Sequence, residues 1–85
     1  MARYFMHLVD GGDILLDEEG LILSEAEVAG AALFAARDCM SHDIRTGCLR
    51  LGYRIDVHDQ DGKLVHSLAF RDAVEIVWAS PGRLT

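Results

Sequence analysis

The chain has 85 residues and is 51% hydrophobic, which is enough for one folded domain and argues against disorder. Its formal net charge is −6, and its eight basic residues are scattered along the chain. A broad phosphate-binding surface needs clustered Lys and Arg, so this composition predicts no nucleic-acid partner.

The first nine residues lack the long apolar segment of a secretory signal. The longest uncharged stretch of the central segment, Val28 to Ala36, is far shorter than the ~20 residues of a membrane span. Cys39 and Cys48 are too few for a disulfide scaffold. We therefore expect a cytoplasmic protein with no membrane partner.

The N-terminal part is predicted to form a β-hairpin. Arg3 to Val9 is β-prone and apolar on both sides, which is typical of a central strand. Asp10 to Asp13 is predicted to turn, and Ile14 to Leu16 to return. Asp17 to Gly20 forms a second turn or a bulge, with Gly20 at positive φ, and Leu21 to Leu23 then leads into a helix.

One long helix is predicted between Leu23 and Gly47. Ser24 and Glu27 have the spacing of a capping box at its start. Gly47 is a suitable left-handed stop at its end, and Arg45 suits the negative end of the helix dipole. At about 100° per residue, one face collects small and apolar side chains. These are Ala29, Ala32, Leu33, Ala36, Cys39 and Met40, with Ala26 and Ile44 flanking them.

Phe34 falls in the middle of the polar helix face, close to Gly30 and Ala31. Gly30 would let a second chain approach the helix backbone closely, and Phe34 could fill the gap on a two-fold-related copy. We therefore take these three residues as the candidate interface of a homodimer. An isolated exposed aromatic residue is the alternative interpretation. An exposed sheet edge is the competing route to a dimer.

The C-terminal part is predicted to form a second hairpin. Cys48 to Asp59 alternates, with Leu51, Tyr53, Ile55 and Val57 on the buried face, and Arg54, Asp56 and His58 on the wet face. Asp61 and Gly62 favour a type I′ turn, and Leu64 to Phe70 returns with its even-numbered residues on the buried face. Arg71 to Trp78 is ambiguous between a strand and a helical turn over Ala73 to Val77, which we favour.

These elements predict an α+β fold in two layers. The order is ββαββ, with the helix packed on a mainly antiparallel four-stranded sheet. We expect residues 1–79 to form a single domain and residues 80–85 a loose C-terminal tail.

Several short motifs follow one another along the chain. They are R-Y-F-x-H-L-x-D-G (Arg3 to Gly11), D-x-x-G (Asp17 to Gly20), A-L-x-A-A-R-D (Ala32 to Asp38), D-x-D-G (Asp59 to Gly62) and F-R-D-A-V (Phe70 to Val74). Together they resemble a family of short bacterial proteins catalogued as a domain of unknown function. That resemblance implies no activity or site residue. A more distant likeness to the small antitoxin fold of the HicB type is an analogy of fold.

No pattern in the sequence indicates catalysis or a bound cofactor. Cys39 and Cys48 are nine residues apart, and no C-x-x-C or H-x-x-x-H pair is present, so no metal site is predicted. His7 and His66 are expected in or beside the core, each hydrogen-bonded to a neighbour, whereas His42 and His58 are expected on the surface. The acidic turns do not fit an EF-hand register.

Two functional hypotheses follow from these observations. The first is a small non-catalytic interaction module, self-associating as a homodimer and able to take a further protein partner. The second is an antitoxin-like regulator that binds a protein or nucleic acid, and the acidic charge favours the protein. An enzyme using His7 or His66 is the weakest interpretation, and it requires a pocket that joins a histidine to a carboxylate.

Overall fold

One antiparallel sheet and one long helix make up the protein, as seen in a computed structural model that describes residues 1–79. This confirms the predicted α+β class. The predicted tail at 80–85 lies outside the described residues. The elements in chain order are β1 (Ala2–Asp10), β2 (Asp13–Leu15), β3 (Leu21–Leu23), a 3₁₀ turn (Glu25–Glu27), α1 (Val28–Arg45), β4 (Arg54–His58), β5 (Leu64–Ala69) and α2 (Phe70–Ala73).

The sheet has the strand order β2-β1-β4-β5, and β3 pairs separately with β1. β1 is central, as predicted from the apolar residues on both of its faces. β3 is an addition to the predicted ββαββ order, because Leu21 to Leu23 is a strand as well as a lead into the helix. Its register with β1 pairs Tyr4 with Leu21 and Ala2 with Leu23. β2 pairs with the other end of β1, where Leu15 lies opposite Leu8.

Both ends of the helix follow the predicted capping pattern. The Ser24 N–H donates to Oε1 of Glu27 at 2.8 Å, as part of a capping box. The first turn is 3₁₀, so α1 itself begins at Val28. At the other end Gly47 has φ +83°, and its N–H donates to the Ile44 carbonyl while the Cys48 N–H donates to the Asp43 carbonyl. This pair of bonds is a Schellman motif.

The core lies between α1 and one face of the sheet. The helix residues fully buried there are spaced by four: Val28, Ala32, Ala36 and Met40. This stripe is rotated from the predicted one, so Ala29 is exposed, Ile44 is exposed and Leu33 is only half-buried. Small Ala32 and Ala36 let the helix approach the sheet, where Ile55 and Val57 meet it together with Phe70 of α2.

The predicted type I′ turn at Asp61-Gly62 is wrong. Only Gly62 has positive φ there, whereas a type I′ turn needs positive φ at both central residues. The Gly62 N–H donates to the Asp59 carbonyl, and the Asp59 carboxylate accepts the N–H groups of Asp61 and Lys63 at 2.9 Å. The side chain of Asp59 therefore organises a four-residue turn that ends in a left-handed glycine.

The chain turns into a helix earlier than predicted. Phe70 ends the predicted strand but begins α2, where its N–H donates to the Tyr53 carbonyl at 2.9 Å. The helical turn predicted over Ala73 to Val77 is therefore wrong in position: α2 ends at Ala73, and Val74 is already extended. Burial of the Phe70 ring against Tyr53, with ring centroids 5.7 Å apart, fixes the earlier turn. In β5, His66 lies opposite Val57 and Leu68 opposite Ile55, on the predicted face. The prediction is wrong for Leu64, which lies opposite His58 across a register shift and is 51% exposed.

Candidate functional site

The sheet face turned away from α1 carries a cavity of about 440 Å³. We call it the open-face cavity. Its apolar lining consists of Phe5, Val9, Ile14 and Leu16, and its polar lining includes His7, Asp56 and His58. Val9 is buried although it is not part of the core cluster. The volume lies in the range of sites for small molecules or for a single large side chain.

Two histidines meet in this cavity because their strands pair. Phe5 lies opposite His58 and His7 opposite Asp56 in the β1–β4 register. The His7 and His58 ring centroids are 5.0 Å apart, with the planes tilted by 41°. His58 was predicted to be a surface residue; it is half-buried, because β1 and the Asp59–Gly62 turn enclose it. Its buried Nδ1 has no hydrogen-bond partner within residues 1–79.

The tautomer of His7 is set by the backbone. Its Nδ1 accepts the N–H of Asp17 at 3.0 Å, which requires the neutral ring to carry its proton on Nε2. The prediction that His7 is hydrogen-bonded to a neighbour is thus confirmed.

Asp56 is a buried carboxylate in a closed network. It was predicted on the wet face of β4 but is only 8% exposed. The Ser67 hydroxyl donates to its Oδ1 at 2.6 Å, and Nε of Arg54 donates to both oxygens at 3.1 and 3.2 Å. Burial raises the pKa of Asp56. The hydrogen bonds from Ser67 and Arg54 and the positive charge of Arg54 together lower it by more than burial raises it, so the net pKa lies below the usual range. The carboxylate is therefore held as a structural anion.

The second feature of this region is the sheet edge formed by β2, Leu16 and β3. We call its large aliphatic residues the apolar edge: Ile14, Leu15, Leu16, Leu21 and Ile22. Each of them is between 47% and 69% exposed. The strand order ends at β2, so within residues 1–79 no further strand pairs with this side. A row of exposed aliphatic side chains on an unpaired strand is a template for association.

The three candidate interface residues of the helix differ in exposure. Phe34 is 74% exposed and Gly30 is exposed, whereas Ala31 is half-buried and packs against the core. Within the described residues, a Cβ added at Gly30 would meet no atom within 4 Å. Phe34 is therefore a solitary aromatic residue on an accessible surface. It does not adjoin the open-face cavity.

The remaining candidate residues show no catalytic arrangement. His66 is half-buried beside Val57 in the sheet register, and His42 is exposed. Burial, and then the charges of Asp38 and Asp43, raise the pKa of the Cys39 thiol, which disfavours the reactive thiolate as expected. Among residues 1–79, no three His, Cys, Asp or Glu side chains are placed to hold a metal ion. In the same range, no helix is long and apolar enough to cross a membrane.

Within residues 1–79, the fold and the surface define a small two-layer α+β domain with an uncovered sheet face and an apolar edge. A comparison with protein families matches residues 3–71 to the domain of unknown function DUF6894. The chain belongs to this family, in agreement with the resemblance noted from its motifs. Comparisons with curated proteins and with solved structures gave no match.

Proposed function

We propose that this protein is a small non-catalytic interaction module that self-associates as a homodimer through its apolar edge. The observation that carries the proposal is the exposure of the five aliphatic residues from Ile14 to Ile22 at an unpaired edge of the described sheet. Covering them with a second copy removes apolar surface from water at about 25 cal/mol per Å². A two-fold dimer needs only one such self-complementary patch.

The chemistry of the protein supports a binding role over a catalytic one. The open-face cavity does join histidines to a carboxylate, which is the condition set for an enzyme. However, Asp56 is engaged by Ser67 and Arg54, and Nδ1 of His7 is engaged by Asp17. These groups hold strands together, so they support a structural role. Free cysteines at positions 39 and 48 suit the reducing cytoplasm, where we place the protein.

Sedimentation of paired variants tests the interface. Leu15 is part of the apolar edge but does not line the cavity, so Leu15→Lys charges the edge alone. We expect the wild type to sediment as a dimer and Leu15→Lys as a folded monomer. Phe34→Glu places a charge on the competing helix surface, and we expect it to remain dimeric.

Two outcomes contradict the proposed interface. A wild type that is monomeric at high micromolar concentration rules out self-association. A dimer that survives Leu15→Lys but dissociates with Phe34→Glu moves the interface to the helix surface of Gly30, Ala31 and Phe34. Circular dichroism of each variant shows that the fold is retained.

A further inference from the structure

Residues 17–20 join β2 to β3, and we call this segment the link. Side chains hold the link against β1. The Asp17 carboxylate accepts the Met6 N–H at 3.1 Å, and Nδ1 of His7 accepts the Asp17 N–H at 3.0 Å. β2 and Leu16 lie before the link and β3 lies after it, so the link connects the two halves of the apolar edge. The His7 contact therefore helps to fix the position of that edge.

The His7 contact is the anchor of the link whose partner changes charge near neutral pH. Histidine gains a proton between about pH 8 and pH 5. Arg3, whose Nη1 donates to the Glu19 carbonyl at 2.6 Å, stays charged throughout this range. Burial raises the pKa of the Asp17 carboxylate, but the N–H groups that it accepts lower the pKa by more, so the carboxylate stays ionised. Mild acidification therefore acts on the link through the imidazole of His7.

A protonated His7 cannot accept the Asp17 N–H. The neutral ring has one acceptor nitrogen, and the contact uses it. The imidazolium carries N–H donors at both nitrogens, so no rotation of the ring restores an acceptor. The Asp17 N–H would then face a second donor and lose its partner. Protonation breaks this anchor and leaves the Met6 and Arg3 anchors in place.

Titratable and charged groups surround the half-buried His7 ring. Those from β4, from the turn after β4 and from the link are His58, Arg54, Asp56, Asp59 and Asp17. The negative charges of Asp17 and Asp56 offset the cost of a positive ring, so His7 can gain a proton while the domain stays folded. The His58 ring, with its centroid 5.0 Å away, opposes a second positive charge in the same place.

We propose that His7 is a pH-sensitive switch of the link: the neutral ring holds the Asp17 N–H, and the protonated ring releases it. Release loosens the connection between the two halves of the apolar edge and so weakens self-association. This second part rests on the proposed function, whereas the release of the Asp17 N–H is a property of the single chain.

Hydrogen exchange of the Asp17 N–H, followed by NMR in dilute wild-type protein, tests the switch. After correction for the intrinsic pH dependence of exchange, we expect protection to fall about tenfold between about pH 7.5 and pH 5.5, as for one lost hydrogen bond. The ring ¹⁵N shifts of His7 should show a proton on Nε2 alone at the higher pH and protons on both nitrogens at the lower. The Gly47 N–H, which donates to the Ile44 carbonyl, is the internal control and should keep its protection.

Two matched variants show which ring controls the release. In His7→Asn, the side-chain oxygen replaces Nδ1 with an acceptor that does not titrate, so protection of the Asp17 N–H should be equal at both pH values. His58→Asn removes the neighbouring ring and leaves the His7 contact, so the release should persist. The dimer dissociation constant from sedimentation should rise at least about fivefold on acidification of the wild type and stay constant in His7→Asn.

Four results are decisive against one or the other part of the proposal. Equal protection of the wild-type Asp17 N–H at both pH values refutes the switch, whether or not the chain dimerises. A release that persists in His7→Asn, or vanishes in His58→Asn, assigns it to another group and also refutes the switch. Release at unchanged dimer affinity refutes the connection to the apolar edge. A wild type that is monomeric at both pH values refutes the proposed function, and the exchange measurement still decides the switch.

Discussion

The backbone N–H of Asp17 donates to Nδ1 of His7 at 3.0 Å, and the Asp17 carboxylate in turn accepts the N–H of Met6 at 3.1 Å. The same carboxylate accepts the N–H of Gly20 at 3.1 Å. These bonds occupy the interval between β2 and β3, where β1 pairs with neither of these two strands and only β4 lies beside it. One aspartate and one histidine side chain therefore satisfy backbone groups that strand pairing leaves open.

Removing the Asp17 carboxylate should destabilise this edge. Asp17→Ala leaves the Met6 and Gly20 N–H groups without their acceptor, in a half-buried region. We expect a loss of about 1–3 kcal/mol in the free energy of unfolding, measured by urea denaturation. Glu18→Ala, on the exposed neighbouring residue, is the control and should change stability by less than about 0.5 kcal/mol. Equal effects of the two substitutions would show that the carboxylate contacts contribute nothing.

Stability should depend on acid pH through the same residue. Partial burial raises the pKa of Asp17. The hydrogen bonds from the N–H groups of Met6, Gly20 and Glu19 together lower it by more than burial raises it, so its net pKa lies below the usual range. A folded-state pKa below the unfolded one means that the folded state binds fewer protons. The contribution of Asp17 is then complete above the unfolded pKa of about 3.9 and is lost as the pH falls through the folded value.

Urea unfolding between about pH 6 and pH 3 measures this contribution. Asp56, whose pKa is also lowered, contributes with the same sign. We expect the wild-type free energy of unfolding to fall below about pH 4, and the Asp17→Asn variant to show a shallower fall. Parallel curves for the two proteins would contradict the prediction.

Two phenylalanines provide a matched test of the core. Phe70 is 1% exposed and packs on Tyr53, whereas Phe34 is 74% exposed. The same substitution at both positions removes the same atoms. Phe70→Ala should cost about 3–5 kcal/mol, and Phe34→Ala about 0.5 kcal/mol or less. Thermal and urea unfolding measure both values, and a cost below about 1 kcal/mol at Phe70 would place the core elsewhere.

Nucleic-acid binding is the test of the antitoxin-like alternative. The net charge of −6 and the absence of a basic cluster in the sequence predict no binding to duplex DNA at micromolar concentration and near-physiological salt. Fluorescence anisotropy with mixed-sequence DNA, repeated over a range of salt concentrations, measures this. An affinity that falls steeply as salt rises would contradict the prediction, because that slope marks phosphate contacts.

The features predicted correctly from the sequence are those set by local chemistry. Ser24 and Glu27 cap the helix because their spacing alone allows it, and Gly47 ends it because glycine adopts positive φ without cost. The central position of β1 followed from its two apolar faces. Each of these signals depends on a few neighbouring residues.

The features that could not be predicted depend on contacts across the fold. β3 has three residues and forms only because β1 extends back to Ala2 beside it. His58 and Asp56 lie on a strand whose alternating sequence predicts that one face is exposed to solvent. Only the β1–β4 register places His7 beside them. A hint was present: a histidine and an aspartate on the same side of β4, with a further histidine on the strand predicted to be central.

Gly20 has φ +71°, and a Cβ placed on it would lie 2.8 Å from the Tyr4 carbonyl oxygen and 2.9 Å from Cγ of Arg3. Its N–H is also the group that the Asp17 carboxylate accepts. The two residues therefore depend on each other: glycine is needed for the chain to pass so close to β1, and aspartate holds it there. In other members of the family, we expect positions 17 and 20 to vary together. A sequence without aspartate at position 17 should also lack glycine at position 20, and its bulge should have a different length.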